Sequence, residues 1–389
     1  MSETVLVLNA GSSSLKFAAY DIEDLSVRLR GSVSRIGDGA SIEVTRGDDA
    51  IEPSGASSLA DGDHADHMRW LLNSIGDWLP ETRVAALGHR VVHGGQAFSE
   101  PVRVDAAILE KLDALSPLAP SHQPHNLAPI RAVADIWPDA PQIACFDTSF
   151  HRTQPRLAEL FALPRRFANQ GVLRYGFHGL SYDYIAGRTP SVLGDVASGR
   201  VVVAHLGHGA SMCAMKGGRS VATTMGFTAL DGLMMGKRCG ALDPGVVLHL
   251  MEEDGLSLTD VRTLLYKESG LCGVSGESDD VRSLLDSETP EAAEALDLFA
   301  YRAAREIGSL AAALDGLDAL IFTAGIGENS ADMRRRICAH CGWLGVHIDD
   351  DANDSGGPMI SKAGGAASAW VIPTDEEIVI ARAVKKAID

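Results

Sequence analysis

The chain has 389 residues and a mass of 41.1 kDa, with 34 lysines and arginines against 52 aspartates and glutamates, for a formal net charge of −18. That length exceeds one ordinary domain, so two are expected. The charge excludes a nucleic-acid-binding surface and adhesion to anionic membranes; an anionic substrate stays open if the cations gather in one place.

In chain order, Val5 to Leu8 reads as a short buried strand closed by a turn signal. The turn, Asn9-Ala10-Gly11-Ser12-Ser13-Ser14, leads into a returning strand that begins Leu15-Lys16-Phe17. Unpaired backbone N–H groups, hydroxyls and one ammonium at such a turn suit a phosphate, although a plain hairpin uses the same residues for conformational reasons. Ser2 and Glu3 precede this strand-length run, so no secretory signal is expected. No stretch of about 18 apolar residues suggests a membrane span. Cys145, Cys213, Cys239, Cys272, Cys338 and Cys341 are mostly isolated, which fits a reduced, cytoplasmic protein. The lone Cys338-Ala-His-Cys341 reads as core or helix face rather than a zinc site.

Residues 26–46 alternate like strands, and a helix is expected over 65–79, with His64 and His67 as exposed residues at its start. The run Val84–Leu87 ends in Gly88-His89-Arg90-Val91-Val92-His93-Gly94-Gly95, a glycine turn carrying an arginine and histidines. Residues 105–115 form a helix stopped by Pro117, and the proline-punctuated 118–126, with His122 and His125, is read as irregular. Gln142–Phe146 is a strand with Asp147 at its carboxyl end, the edge where α/β sheets bind ligands.

The second half opens with Tyr175–Ala186, a turn entering a helix with His178 at the turn. Residues 201–216 then repeat the first hairpin: adding 196 carries Val5, Val7 and Gly11 onto Val201, Val203 and Gly207. Such spacing suits two copies of one domain and suggests a two-lobed nucleotide-binding machine. Further helices are expected from Pro244, from Ser257, over about 289–316 and over 375–388, with strands at 320–323 and 369–372. Residues 324–329 read as a glycine turn into a helix, and the Gly/Ala/Ser-rich 351–367 as a mobile loop. Gly232–Arg238 falls short of a P-loop, and Gly325-Ile326-Gly327 lacks the third glycine of a dinucleotide fingerprint. Thr374 and Glu377 have capping-box spacing, which leaves Glu376 free. Strands mixed with helices in both halves mean α/β.

The motifs NAGSSSLK (9–16), HRVVHGG (89–95), FDTSFH (146–151), YGFHGLS (175–181), HLGHGAS (205–211), MGFTALDGLMMGKRCG (225–240), SGESDDVR (275–282), FTAGIGENS (322–330) and IPTDEE (372–377) together resemble the acetate kinase family, in order along essentially the whole chain. The resemblance implies two actin-like, ribonuclease-H-like lobes, a duplicated domain around a central cleft. One lobe would comprise 1–150 with the C-terminal helix 376–389, on the phosphate, metal and acyl side. The other would comprise 151–375, for nucleotide binding and dimerisation. It also implies a homodimer and Mg²⁺-dependent transfer between ATP and acetate, with Mn²⁺ as a possible substitute, by direct in-line displacement.

By the same resemblance, Asn9, Ser12, Ser14 and Lys16 belong to the phosphate and metal region, and Glu376 is a metal ligand. Arg90 and Arg238 flank the carboxylate and the migrating phosphoryl group, Asp147 is the catalytic carboxylate, and His178 stabilises transition-state charge. Asp280, Val281 and Arg282 match the adenosine side; Gly325, Ile326, Gly327 and Asn329 match the adenine and ribose pocket; His205, Gly207, His208 and Gly209 form the second phosphate turn. Val92, Ser121, His122, Phe177 and Ala229 surround the acyl group. A carboxylate acceptor is already ionised at neutral pH, so Asp147 reads as positioning metal or water rather than as a base.

The pattern is broken at a few places. His208 stands where the family has asparagine, Ser121 where it has leucine and Ala229 where it has proline, while Ala222, Lys237 and Ala241 replace Asp, Thr and Asp. The changes at 121 and 229 make the acyl pocket roomier or more polar and leave propionate open, whereas Val92 favours acetate. A catalytically silent ATP-binding regulator on the same fold is the rival reading.

Overall fold

The computed structural model describes residues 2–11, 14–36, 39–53, 62, 64–120 and 122–389, with the backbone alone at 64 and 65. Ser12 and Ser121, both expected site residues, lie outside the described residues. The chain divides into two compact units, Met1–Ser149 with Asp375–Asp389, and Phe150–Thr374.

The first unit is built on a mixed sheet. Its strands are β1 (Ser2–Ala10), β2 (Ser14–Asp21), β3 (Val27–Ser34), β4 (Ser41–Arg46), β5 (Asp49–Ile51), β6 (Thr82–Val91), β7 (Val102–Arg103) and β8 (Gln142–Phe146). Among the described residues their order is β5-β4-β3-β2-β1-β6-β8-β7. β1 pairs antiparallel with β2 and parallel with β6, and β6 pairs parallel with β8. The second unit contains β9 (Arg200–Leu206), β10 (Ala210–Lys216), β11 (Arg219–Thr223), β12 (Ala319–Thr323) and β13 (Ser368–Val371), in the order β11-β10-β9-β12-β13. Here too the first pairs are antiparallel and the β9-β12-β13 pairs parallel. The five strands β3-β2-β1-β6-β8 and β11-β10-β9-β12-β13 thus share one order and one sense, the actin-like pattern present twice in an α/β protein. The constant offset between the two hairpins in the sequence reflects this duplication.

Helices cover the sheets because their apolar stripes match. The helix Glu376–Ile388 buries Val379, Ile380, Ala381 and Val384 and contacts β1, β6 and β8. A Cβ at Gly88 on β6 would strike Ile380 and Val384, so glycine is what lets helix and sheet meet so closely. Each buried Val, Leu or Ile contributes about 1.5–3 kcal/mol. In the second unit Pro290–Ala313, capped by Thr289, buries ten side chains.

Several expectations need correction. Residues 118–126 are not wholly irregular: a helix runs Gln123–Ile136, because Pro124 falls in its first turn, where no intrahelical N–H is needed. Ala324–Asn329 is itself helical rather than a turn. The segment 351–367 is tied down by the helix Asp350–Asp354 and by bridges Ile348↔Ser361 and Val346↔Ala367. His67 is buried, not exposed. The final helix is capped by Asp375, whose carboxylate accepts from the Ile378 N–H at 3.1 Å, because the Thr374 N–H is already taken by Glu328 at 3.1 Å. Cys338 and Cys341 are buried thiols, and burial pushes Cys341 up to about 12. Among the described residues no helix is long and apolar enough to cross a membrane.

Candidate active site

In the first unit the carboxyl ends of the parallel strands β1, β6 and β8 lie side by side. They carry Asn9, Arg90 and, one residue past β8, Asp147. The Arg90 guanidinium donates to Asp147 through Nε (3.1 Å) and Nη2 (2.5 Å), and through Nη1 to Asn9 Oδ1 at 3.3 Å. Asp147 is buried, while the Arg90 side chain keeps 20% exposure. Burial acts to lower the Arg90 pKa, but the Asp147 and Glu376 charges outweigh it and hold the guanidinium protonated. Glu376, in the first turn of the last helix, therefore acts on the same group. The hard oxygens of Asn9, Asp147 and Glu376 are the donor type that Mg²⁺ takes, usually one or two carboxylates with waters and substrate phosphates. Among the described residues no group of three or more His, Cys, Asp or Glu forms a preassembled metal cage, and Mg²⁺ bound in that way needs none.

The turn after β6 is held from behind. Asn126 accepts from the Val92 N–H at 2.8 Å and donates to the Ala10 carbonyl at 2.5 Å, which ties the arginine turn to the serine-rich one. Gln123 does the same for His93, accepting from its N–H and donating to its carbonyl. His122 stands at the N-cap of that helix. Ser14 opens β2, its carbonyl accepting from Gly11 N–H at 2.7 Å. Lys16 pairs with Asn9 across the hairpin and lines a small cavity with Arg30, Glu43 and Glu377. Burial pushes the Glu377 carboxyl up, with Asp375 adding to it and Lys16 opposing.

In the second unit His178 sits at the N-cap of the helix Gly179–Leu193 with φ 58°, a left-handed conformation. For a non-glycine residue that costs on the order of 1–2 kcal/mol, and such strain clusters at functional sites. The buried His151 holds the turn: its Nε2 donates to the Phe177 carbonyl at 2.9 Å, and its Nδ1 pairs with Ser220 Oγ at 2.9 Å. His178 Nδ1 pairs with Ser211 Oγ at 2.8 Å, and the His178 ring stacks on His205 with centroids 4.2 Å apart. His205 in turn bonds Ser181 at 2.8 Å. Arg238 anchors its Nη1 on the Ala229 carbonyl at 2.6 Å, and it makes no ion pair with a carboxylate among the described residues. A Cβ at Gly209 would lie 2.8 Å from Arg238 Nη2 and 3.4 Å from His178 Nε2, so both side chains crowd this glycine.

The same unit holds a cavity of about 510 Å³, within the range of small-molecule sites. It is lined by Gly207, His208, Asp279, Asp280, Val281, Arg282, Leu285, Gly325, Ile326, Asn329 and Ser330. Its floor, the helix Ala324–Asn329, is fixed at both ends. Glu328 Oε1 accepts from the Ala324 N–H (2.7 Å), and the buried Arg334 donates to the carbonyls of Gly327 (3.0 Å) and Glu328 (2.8 Å). At the wall, His208 Nε2 bonds Asp279 Oδ2 at 2.8 Å and Lys237 Nζ approaches the same oxygen at 3.5 Å. Burial works to raise the Asp279 pKa, but His208 and Lys237 outweigh it and hold the carboxyl low.

Within the first unit, then, Asn9, Arg90, Asp147 and Glu376 come together. Within the second, His178, Gly209 and Arg238 meet, and Gly207, His208, Asp280, Val281, Arg282, Gly325, Ile326 and Asn329 share the cavity. Gly327 is buried beneath it, and His205 is buried behind His178. Sequence reasoning missed Asn126, His151, Ser211, Asp279, Lys237 and Arg334 as site-forming residues. His151, Ser211, Lys237 and Asp279 were inside recognised motifs, which was the available signal; nothing in Arg334-Arg335-Arg336 sets Arg334 apart from its neighbours.

A family model described as the Acetokinase family matches residues 4–382. An acetate kinase of Rhodopseudomonas palustris is 55% identical over 401 aligned positions, covering 100% of this chain and 99% of the relative. Two solved structures are also similar. A propionate kinase from Francisella tularensis has 34% identity and a TM-score of 0.91, over 99% of this chain and 100% of the other. An acetate kinase from Porphyromonas gingivalis has 34% identity and a TM-score of 0.88, over 100% of each chain.

Proposed function

This chain belongs to the acetokinase family, and from that premise we propose that it catalyses reversible phosphoryl transfer between ATP and acetate, giving acetyl phosphate and ADP. The observation that carries this reading is in the second unit: the Arg238 guanidinium and the His178 ring both lie close to Gly209, in the turn whose residues Gly207 and His208 line the cavity. A guanidinium with no carboxylate partner among the described residues, close to a nucleotide-sized cavity, suits a phosphoryl group in transit.

The transition state spreads negative charge over the phosphoryl oxygens while an anionic carboxylate approaches, so catalysis is mostly alignment and charge neutralisation. Arg90 neutralises the acid's carboxylate and is oriented by Asp147, which is not required as a base. Val92 and His122 receive the alkyl end. Arg238 and His178 neutralise the migrating group, carried by the backbone of Ala229 and Phe177. Lys16 and Ser14 serve the terminal phosphate, Gly207, His208 and Gly209 the inner ones. The base and ribose lie against Asp280, Val281, Arg282, Gly325, Ile326 and Asn329. Mg²⁺, when bound, screens the phosphate charge, and Asn9, Asp147 and Glu376 would hold it, directly or through water.

Cytoplasmic residence and homodimerisation belong to the same proposal. The second is supported by apolar side chains exposed along the helix Pro244–Glu252: Val246, Leu248 and Met251.

Hydroxylamine trapping of acyl phosphate tests the reaction. Hydroxamate is expected from ATP, Mg²⁺ and acetate; its absence with acetate, propionate and butyrate alike sinks the reading. Initial rates with the three acids decide the preferred substrate, which matters because a propionate kinase is among the similar structures.

A further inference from the structure

Glu328 belongs to the short helix Ala324–Asn329 that floors the cavity, and its carboxylate reaches back to the start of that helix. One oxygen, Oε1, accepts from the Ala324 N–H at 2.7 Å, from the Thr374 N–H at 3.1 Å and from the Thr323 hydroxyl at 3.3 Å. Two chain segments thereby share one acceptor. Bonds from backbone N–H groups to a carboxylate are charge-assisted and stronger than neutral ones. Ala324 needs such a hold, because it is a non-glycine residue at φ 66°, and left-handed backbone persists only where its surroundings over-determine it. It also faces the 207–209 turn: a Cβ at Gly207 would lie 3.7 Å from the Ala324 Cβ.

From Thr374 the contacts continue toward His178. The Ser181 hydroxyl donates to Thr374 Oγ1 at 2.9 Å and pairs with His205 Nδ1 at 2.8 Å. Ser181 is fully buried and lies in the first turn of the helix that His178 caps. The His205 ring stacks on that of His178, with centroids 4.2 Å and planes 16° apart. Every member of this chain of contacts, from Ala324 to His178, belongs to the second unit. Contiguous hydrogen bonds and rigid elements of this kind can carry coupling between two sites.

We propose that Glu328 is a positioning residue for both parts of the second unit's site: with Ala324 and Thr374 held on one carboxylate, the floor of the cavity and the ring of His178 keep a fixed geometry relative to each other. The catalytic consequence rests on the proposed phosphoryl transfer. The spectroscopic consequence rests on the hydrogen bonds alone.

Three variants separate the parts of this arrangement. Glu328→Ala removes the acceptor, and Glu328→Gln keeps an amide oxygen in its place. Thr374→Val removes the hydroxyl that Ser181 reaches but keeps the N–H that Glu328 holds. In the full-length protein the readouts are ADP affinity by calorimetry, kcat and KM for acetate, and the ring signals of His178 and His205 under ¹⁵N-histidine labelling, identified by loss in His178→Gln and His205→Gln. Glu328→Ala should weaken ADP binding about 10–100-fold and shift both ring signals. It should also lower kcat by a factor between 10 and about 10², with KM for acetate within about twofold. Glu328→Gln should recover most of each loss. Thr374→Val should split the effects: ADP affinity within about twofold of wild type, ring signals and kcat moved in the direction of the alanine variant. If Glu328→Ala does not fold, Thr374→Val and Glu328→Gln carry the test. Wild-type ADP affinity in Glu328→Ala overturns the proposal, as does a glutamine variant with ADP affinity weakened about tenfold or more, or a Thr374→Val protein whose ring signals do not move. Wild-type protein that forms no acyl phosphate would instead refute the proposed reaction, while the ring signals, which need no turnover, still decide the role of Glu328.

Discussion

Asp147 lies two residues beyond Cys145, the Cα partner of Arg90, and so emerges on the face of the sheet from which Arg90 reaches it with two nitrogens. The pleat of two parallel strands builds this ion pair: residues two apart share a face, and the two strand ends share an edge. Removing one member of a buried pair costs about 3–5 kcal/mol, less here because Arg90 is one-fifth exposed. Arg90→Ala and Asp147→Ala should each lower the urea midpoint and remove orders of magnitude of turnover. The double variant Arg90→Met/Asp147→Leu should be less destabilised than the sum of its single changes. Strict additivity would mean that the pair is not coupled.

Gly209 is a second point at which a single atom decides. Its backbone is not in the left-handed region, so alanine is tolerated conformationally, yet a Cβ there would come within 2.8 Å of Arg238 Nη2. The guanidinium must then give way. A misplacement of about 1 Å costs roughly 10²-fold in a preorganised site, so Gly209→Ala should keep its thermal midpoint and lose turnover by a factor between 10 and about 10². Wild-type turnover would dissociate Arg238 from the chemistry.

Most elements of this fold were legible because they depend on local pattern. Short continuous apolar runs gave β1, β6, β8, β9 and β12, and Thr289-Pro290 announced the longest helix through its cap and first turn. The duplication could be seen as a constant sequence offset. What was missed depends on partners distant in sequence. Thr374 had the spacing of a cap, but Glu328, 46 residues earlier, holds its N–H and leaves the capping to Asp375. Arg334 is buried because Asn353 and the carbonyls of residues 327 and 328 surround its guanidinium. The composition of 351–367 suggested a loop, since isolated bridges leave no periodicity to read. Motif resemblance named most of the residues lining the cavity; it did not name Asp279, whose role follows from what this chain carries at 208 and 237.

The cavity itself can be tested without disturbing the fold. A Cβ on Gly325 meets nothing within 4 Å, so a side chain there projects into open space on the cavity wall. Gly325→Leu should leave thermal stability unchanged and weaken ADP binding, measured by calorimetry, at least tenfold. Unchanged affinity in a folded variant would mean that the nucleotide binds elsewhere.

The cluster of His208, Asp279 and Lys237 joins two departures from the family pattern to one carboxylate. His208 is 66% exposed and Lys237 46%, and pairs so exposed contribute about 0.2–1 kcal/mol. His208→Asn and Asp279→Asn should therefore weaken ADP binding no more than about fivefold, with the effect shrinking as salt rises. A loss of about a hundredfold would show that the His208 or Asp279 side chain itself holds the nucleotide, rather than the backbone of the 207–209 turn serving the inner phosphates while these side chains brace the wall.

Stability should fall on the acid side because of two buried histidines. Burial lowers His151 to about 4, with the Phe177 carbonyl pulling the other way and Arg152 adding to the shift. Burial likewise lowers His89 to about 4, opposed by Gln142. An imidazole free in the unfolded chain titrates at about 6.5. Below that pH the unfolded chain binds protons that the folded chain refuses, so acid favours unfolding. The stabilisation from both groups is complete above about pH 6.5, declines as pH falls toward 4, and is gone below it; each group gives up at most about 1.4 kcal/mol per pH unit in that window. Urea midpoints should accordingly be flat from pH 8 to 7 and drop between 6.5 and 4. In His89→Leu, which has nothing to protonate at that position, the drop should be shallower. A variant as acid-sensitive as wild type would remove His89 from the account, and a decline that begins above pH 7 would contradict the sign of both shifts.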